Sequence, residues 1–245
     1  VAADLPVAVV IQAAAADSPA AALQEVGEMS SIPKWLERHL NAENRVLVED
    51  AIASVEKSSS VEIVPVIVKR SSTVSHVPVN LFLLLICLGL LFGDYFYILP
   101  WVNSGLIYLG LGILSLILSM GLSRFDRVSM LFTPEADRNL QVLQRAELEF
   151  YRNKLGQTRD KTGVLVFISV AERRVQVLAD ETVSKRLPED TWDKFVEIIL
   201  QHKKQGLLAK GIAEAILWSG DLMKKEFPIQ PQDVNELPNK LIILD

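Results

Sequence analysis

Two stretches free of any charged side chain constrain this chain more than anything else in it. Residues 81–92 read LFLLLICLGLLF and residues 106–122 read LIYLGLGILSLILSMGL. A helix crosses a bilayer core with roughly 20 consecutive apolar residues. Residues 77–99 and 104–122 each meet that need once the aromatics at their ends are counted. Helices of a small water-soluble domain keep a polar face, and these runs have none. The sequence therefore predicts two membrane-spanning helices, against the alternative of two buried core helices.

Between the runs lies GDYFYILPWVN, residues 93–103, rich in Tyr and Trp and carrying one proline. Tyr and Trp favour the headgroup level, so this segment reads as a turn at the membrane interface and the pair as a helical hairpin. Lys69 and Arg70 precede the first span, Arg124 and Arg127 follow the second, and the turn has no basic residue. The positive-inside rule then places both flanks, and both termini, on the positive side: cytoplasm, matrix or stroma. The membrane expected is a bacterial inner membrane or an organelle inner membrane. Gly89 and Gly93, and likewise Ser115 and Ser119, have the small-xxx-small spacing that lets helix backbones approach closely.

Composition matters here for what it excludes. Half of the 245 residues are hydrophobic, and the mean hydropathy is +0.27. Most of that excess sits in residues 77–122. The net charge of -5 and a pI near 5.4 argue against a nucleic-acid partner, which favours a basic stripe. A single cysteine, Cys87, excludes an intrachain disulfide framework and a Cys-built zinc site. Residues 1–31 form an alanine-rich N-terminal tail with no basic n-region, unlike an intact signal peptide. It resembles a processed N-terminus, or a chain cut at an arbitrary boundary.

The polar flanks read as one interrupted domain, residues 32–72 and 128–227, with an extended C-terminal tail at 228–245. Residues 32–57 show helical spacing. Residues 61–68, VEIVPVIV, read as a strand with Pro65 at an edge or a bulge. Thr133-Pro134-Glu135 predicts a helix start with Thr133 as N-cap. That helix should run to about Leu155 with Leu140, Leu143, Ala146, Leu148 and Tyr151 inward. Residues 164–170, VLVFISV, predict a buried central strand, and 175–180 its antiparallel return. Helices follow at 188–204 and 207–227, and 241–244 reads as a short strand or docking segment. One strand with one helix is not independently stable, so 61–68 should pair with 164–170. The expected fold class is α/β: a small mixed sheet covered by helices, interrupted by a two-helix transmembrane hairpin whose two ends meet at the sheet.

That layout resembles the TPM domain family. The resemblance lies in Glu56-Lys57-Ser58 before VEIVPVIV, in RDKTG (159–163) opening VLVFISVAERRVQVLAD, and in the FPIQPQDVNELP segment (227–238). It is closest to the branch in which a membrane hairpin splits the domain. It implies a small sheet covered by helices and accessory work on membrane complexes, the family having taken its name from a thylakoid-lumen acid phosphatase, a photosystem II repair protein and a receptor modulator. Many members carry a glycine-rich loop after the second hairpin strand, where this chain has Asp180-Glu181-Thr182-Val183. Some members are described as binding divalent metal through acids near strand ends.

Glu62 stands where the resemblance puts an acid, at the start of the first strand. Asp160 precedes the central strand, and Asp180 and Glu181 end the returning one. A hard cation such as calcium takes several oxygens, so these four are the candidate metal ligands; solvated strand ends are the competing reading, and no other cofactor is expected. Arg173 and Arg174 are of the type that grips phosphate, although turn arginines are commonly just exposed. His39, His76 and His202 lie on separate elements, and no serine-hydrolase elbow, phosphate-binding loop or dinucleotide fingerprint occurs. Lys203, Lys204, Lys210, Lys224 and Lys225 make the late helices basic, either as solvated faces or as contacts to anionic lipid. Two functions follow as expectations. One is a non-catalytic accessory protein, anchored in the lipid bilayer, that supports assembly, repair or stability of a larger membrane protein complex. The other is a membrane-anchored, metal-dependent phosphatase-like hydrolase.

Overall fold

The computed structural model describes residues 32–37, 40–73, 76–93, 104–188, 190–230, 233 and 235–245. The N-terminal tail, His39 and the interfacial turn at 94–103 lie outside the described residues.

The first helix, α1 (Ala42–Glu56), begins where the Asn41 side chain accepts the Asn44 N–H at 2.7 Å. The helical spacing from residue 32 overshoots this start. Pro33 and the Asn41 cap hold residues 34–37 in turns instead, while Leu36 and Leu40 are still buried. Val48, Ala51, Ile52 and Val55 form the inward stripe of α1.

The four strands are β1 (Glu62–Val68), β2 (Gly163–Ser169), β3 (Arg174–Ala179) and β4 (Ile242–Leu244), in the order β3-β2-β1-β4. β1 runs parallel to β2, from Glu62 opposite Gly163 to Val68 opposite Ser169. β3 returns antiparallel on β2, and β4 lies parallel to Val66–Val68 of β1. The sheet is mixed, and every residue of β1 and β2 is buried. That is why both read as continuous apolar runs rather than alternating ones. Pro65 sits in an interior strand, but β4 begins only opposite Val66, so at Pro65 the ladder is with β2 alone. The missing N–H therefore costs no inter-strand bond on the β4 side.

Helices cover both faces. On one, Ile63, Ile67, Val164, Val166 and Ile168 pack under α1, α7 (Asp190–Lys204) and α8 (Leu208–Glu226). On the other, Val64, Val66, Val68, Leu165 and Phe167 pack with Val142 and Ala146 of α5 (Glu135–Arg152) and with Leu155. A short helix, α6 (Glu181–Arg186), follows β3 where the sequence suggested none; Asp180 caps it.

Between β1 and β2 come α2 (Val77–Gly93), α3 (Ser104–Leu122), the single-turn α4 (Asp126–Leu131) and α5. α2 and α3 pack on each other. At Gly89 a Cβ would lie 2.6 Å from Leu111 Cδ2, so the helices touch there. Ser115 and Ser119 are buried, and Ser119 donates to the Leu116 carbonyl at 2.8 Å. Gly93 is the last residue of α2. Among the described residues, no helix is long and apolar enough to cross a membrane. α2 has 17 residues and α3 has 19, about 25 and 28 Å at 1.5 Å per residue. The expected first span, 77–99, is helical to Gly93 and then leaves the described residues.

The face of α5 differs from the one expected. Val142, Ala146 and Glu149 are buried, while Leu140, Leu148 and Tyr151 are exposed. Glu149 is tolerated inside because Arg145 and Arg152 pair with it at 3.0 and 3.1 Å. Thr133 does not cap this helix; its hydroxyl donates to the Ser129 carbonyl at 3.0 Å. The chain leaves α5 through Asn153 and a left-handed Lys154.

Candidate functional site

The N-terminal ends of β1 and β2 gather the acids. Glu62 opens β1 and is 7% exposed. Its carboxylate accepts the N–H groups of Glu236 and Leu237 at 3.0 and 3.3 Å, tying the C-terminal segment to the sheet. Burial pushes the Glu62 carboxyl up, against those two hydrogen bonds and with the nearby charges of Glu236 and Asp233. Glu56, in the last turn of α1, accepts the Ile63 N–H at 3.0 Å. Burial raises its pKa to about 8; the Ile63 bond opposes this, and the Glu62 charge adds to it. Glu56 Oε2 and Asp233 Oδ2 are buried without a hydrogen-bond partner. Glu56, Glu62, Asp233, Asn235, Ser59 and Ser60 share a cavity of about 40 Å³ with Ile229.

A larger open cleft, about 360 Å³, borders this cavity through Ser60. Arg159, Asp160, Thr162, Thr182, Arg186 and Phe227 contribute to its walls. The Arg186 guanidinium lies 5.3 Å from the Phe227 ring centre, a cation–π contact.

The sheet brings the four sequence-named acids to this one end. Glu62 is opposite Gly163, and the Asp180 N–H donates to the Gly163 carbonyl at 2.9 Å. Their carboxylates nevertheless go separate ways. Asp160 pairs with Arg159 at 3.3 Å. Asp180 accepts the Glu181 N–H at 2.6 Å, leaving its Oδ2 buried and unpartnered. Glu181 pairs with Lys185, whose hydrogen bond holds the carboxyl below its usual range. The donor chemistry is right for a hard cation. The geometry is not: among the described residues, no three His, Cys, Asp or Glu side chains converge on a point that could hold a metal. Glu56 and Asp233 escaped the sequence reading. Glu56 is one acid among several on a helix, and Asp233 sits in a proline-rich segment without periodicity.

The opposite end of the sheet carries the root of the helical hairpin. Glu172, in the β2–β3 turn, is 8% exposed. It accepts the N–H groups of Ser71 and Ser72 at 3.2 and 3.0 Å, and the hydroxyls of Ser72 and Ser169. Burial alone would push this carboxyl up; the four hydrogen bonds outweigh burial and hold it below the usual range. Next along, the Thr73 N–H donates to Gln141 of α5 at 2.6 Å. Thr133 Oγ1, just after α4, lies 3.5 Å from His76 Nε2, just before α2. The chain thus leaves and rejoins the domain at one place. Lys69 and Arg70 precede that place, while Arg124 and Arg127 follow α3. The Lys69 N–H donates to the Leu244 carbonyl at 3.1 Å. Arg70 lines a small hollow with Arg138, Ser129, Thr133 and Glu172, and Arg124 is exposed. Arg174 pairs with Glu135 of α5. His202 pairs with Glu214 at 3.1 Å, and Cys87 is exposed on α2.

Residues 128–219 match the TPM domain, which covers α4 through most of α8. Among solved structures, the NMR structure of BA42 protein from the psychrophilic bacterium Bizionia argentinensis is similar, with a TM-score of 0.53 and 20% sequence identity. The match covers 87% of this chain and 99% of BA42, and at that identity it speaks for a shared fold alone. No curated protein matches the chain.

Proposed function

We propose that this chain is a non-catalytic accessory protein anchored in a lipid bilayer, where its TPM domain supports assembly, repair or stability of a larger membrane protein complex. One observation carries the anchor. α2 and α3 expose Val79, Leu83, Leu84, Leu88, Leu90, Leu91, Leu109, Ile113, Leu114, Leu116, Ile117 and Leu118, with no charged residue on either helix. An apolar surface of that extent is untenable in water and ordinary in lipid. Beyond Asp94, residues 95–99, YFYIL, are again uncharged and add apolar length toward a full span. The Glu172 clamp supports the reading, because it fixes the hairpin root to the sheet. A partner is suggested by α5, whose outward face shows Leu140, Leu148 and Tyr151 to solvent. The basic residues at the root favour both flanks on the positive side of a bacterial or organellar inner membrane.

Alkaline carbonate extraction tests the anchor: the chain should stay with the membrane pellet, and release into the supernatant would overturn it. Co-purification from native membrane in mild detergent tests the accessory role. A stable larger assembly is expected, and a chain migrating only as a lone monomer contradicts it.

A metal-dependent phosphatase-like hydrolase is the second reading. It is favoured by the open cleft beside the Glu56–Glu62–Asp233 cavity. It requires these acids to draw together around a cation, which they do not do in this structure. Hydrolysis of a generic phosphate ester with added calcium or magnesium, abolished in Glu62→Ala, would establish it.

A further inference from the structure

Where α3 ends, the chain encloses an open groove. Ile117, Leu118, Gly121 and Leu122 form its floor along the last two turns of the helix. Arg124 and Phe125 close its end, and the space between measures about 510 Å³. Cavities of that size accept small ligands. The floor dips at Gly121, where a Cβ would meet no atom within 4 Å. Ile117 and Phe125 are 62% and 65% exposed, so the groove opens on the same apolar surface that α3 shows at Ile113 and Leu114.

Backbone bonds hold the end wall in place. The Arg124 N–H donates to the Gly121 carbonyl at 3.3 Å and the Phe125 N–H to the Leu122 carbonyl at 3.1 Å, so the chain turns tightly off the helix. Behind that turn Ser129 is buried, and its hydroxyl donates to the Ser123 carbonyl at 2.8 Å. Arg124 is the first charged residue after the 19 uncharged residues of α3. A helix that enters the bilayer at Ser104 and rises 1.5 Å per residue therefore brings Arg124 to the opposite headgroup layer. Among the described residues Arg124 has no acidic partner. The stretch 124–127, RFDR, stays basic on balance despite Asp126.

We propose that this groove binds one anionic phospholipid, with an acyl chain along Ile117, Leu118, Gly121 and Leu122 and the phosphate at Arg124. The two ends of the groove match the two ends of such a molecule. The floor offers hydrocarbon nothing polar to desolvate, and the guanidinium offers phosphate a planar fork of N–H donors. A zwitterionic lipid brings the same chain and phosphate, but its ammonium offsets the charge that Arg124 attracts. Selection is therefore by net headgroup charge, and retention is by the fit of the chain over Gly121. The site rests on the membrane reading above, since a bilayer lipid reaches this groove only if α3 spans the bilayer.

The test is native mass spectrometry of the full chain in an uncharged detergent, with equal amounts of phosphatidylglycerol and phosphatidylcholine carrying the same acyl chains. The wild type should retain phosphatidylglycerol over phosphatidylcholine by about fivefold, the effect of one basic residue at a membrane surface. Arg124→Gln should remove that preference, and Arg124→Lys should keep most of it. Gly121→Leu leaves every charge in place but fills the floor, so retention of phosphatidylglycerol should fall by a similar factor. Leucine is the better helix former and the position is open, so this variant should melt no lower than the wild type. Lys210→Gln, on α8, should leave the preference unchanged. A wild type without preference, or a preference that survives Arg124→Gln, overturns the proposal. So does one that Gly121→Leu leaves untouched, since general attraction of charge would then explain it. Carbonate extraction separates the two levels: a chain that stays with the pellet yet selects no lipid loses the site and keeps the anchor, and a released chain loses both.

Discussion

The Glu172 carboxylate accepts the Ser72 N–H at 3.0 Å across 100 residues of sequence, closing the root of the helical insertion onto the β2–β3 turn. Glu172→Ala strands the Ser71 and Ser72 N–H groups in a half-buried place, at a cost on the order of 2–4 kcal/mol. Denaturant unfolding should show that loss, and hydrogen exchange should quicken first at Ser71, Ser72 and Thr73. Because the folded carboxyl titrates below its usual value of 4.5, the contribution is complete above that pH. It fades as pH falls through the lower folded value. Glu172→Gln should flatten this acid limb.

Glu56 has the opposite sign. Its folded pKa, about 8, lies above the ordinary 4.5, so the folded state binds a proton that the unfolded chain has already given up. Stability should fall as pH rises from about 4.5 to about 8. Glu56→Gln keeps an acceptor for Ile63 without the charge and should raise stability at pH 8, by an amount on the order of 1–3 kcal/mol that vanishes near pH 4. Chemical denaturation at both pH values checks this; an equal effect at the two would contradict it.

Two glycines should respond differently to alanine. At Gly163 a Cβ would meet the Leu155 carbonyl oxygen at 2.4 Å, and that backbone belongs to the turn leading into β2. At Gly89 the obstacle is the tip of the Leu111 side chain, which can rotate away. Gly163→Ala should cost on the order of 2–4 kcal/mol and Gly89→Ala under about 1 kcal/mol. Thermal melts of the two variants side by side would show the difference, and similar losses would contradict it.

The insertion should be removable. With Thr133 Oγ1 and His76 Nε2 3.5 Å apart, a short Gly-Ser linker can replace residues 77–131 without moving Ser72 or Pro134. The shortened chain should remain in solution without detergent and unfold cooperatively, with the far-ultraviolet signature of the remaining helices and strands. Aggregation or a non-cooperative melt would mean that α2 and α3 hold the sheet together.

What was legible in the sequence was whatever one local pattern decides. β1 and β2 are each covered on both faces, so apart from Glu62 and Ser169 at their ends they run without polar side chains and announce themselves; the short Ala171–Arg174 connection implied β3. α5 was misread because Glu149 occupies a core position, neutralised by Arg145 and Arg152, while Leu140, Leu148 and Tyr151 face out. No periodicity rule places a glutamate inward against three large apolar residues. At the candidate site, Glu62 was visible as an acid opening a strand. Asp233 was not, because its place beside Glu56 depends on backbone bonds from Glu236 and Leu237 that no spacing foretells.

The parallel partners β1 and β2 are separated by residues 69–162, and joining the ends of an unstructured loop that long carries a closure entropy that grows with the logarithm of its length. α2 and α3 pair early in sequence and bring the chain back to where it left. Each halving of the loop still to be closed recovers about 0.6 kcal/mol. The helical pair therefore acts as a kinetic splint, most effective if it zips before any strand finds its neighbour. Where zipping lags, β1, buried at every position in the finished sheet, waits unpaired in solution, which is the condition under which strands find the wrong partner.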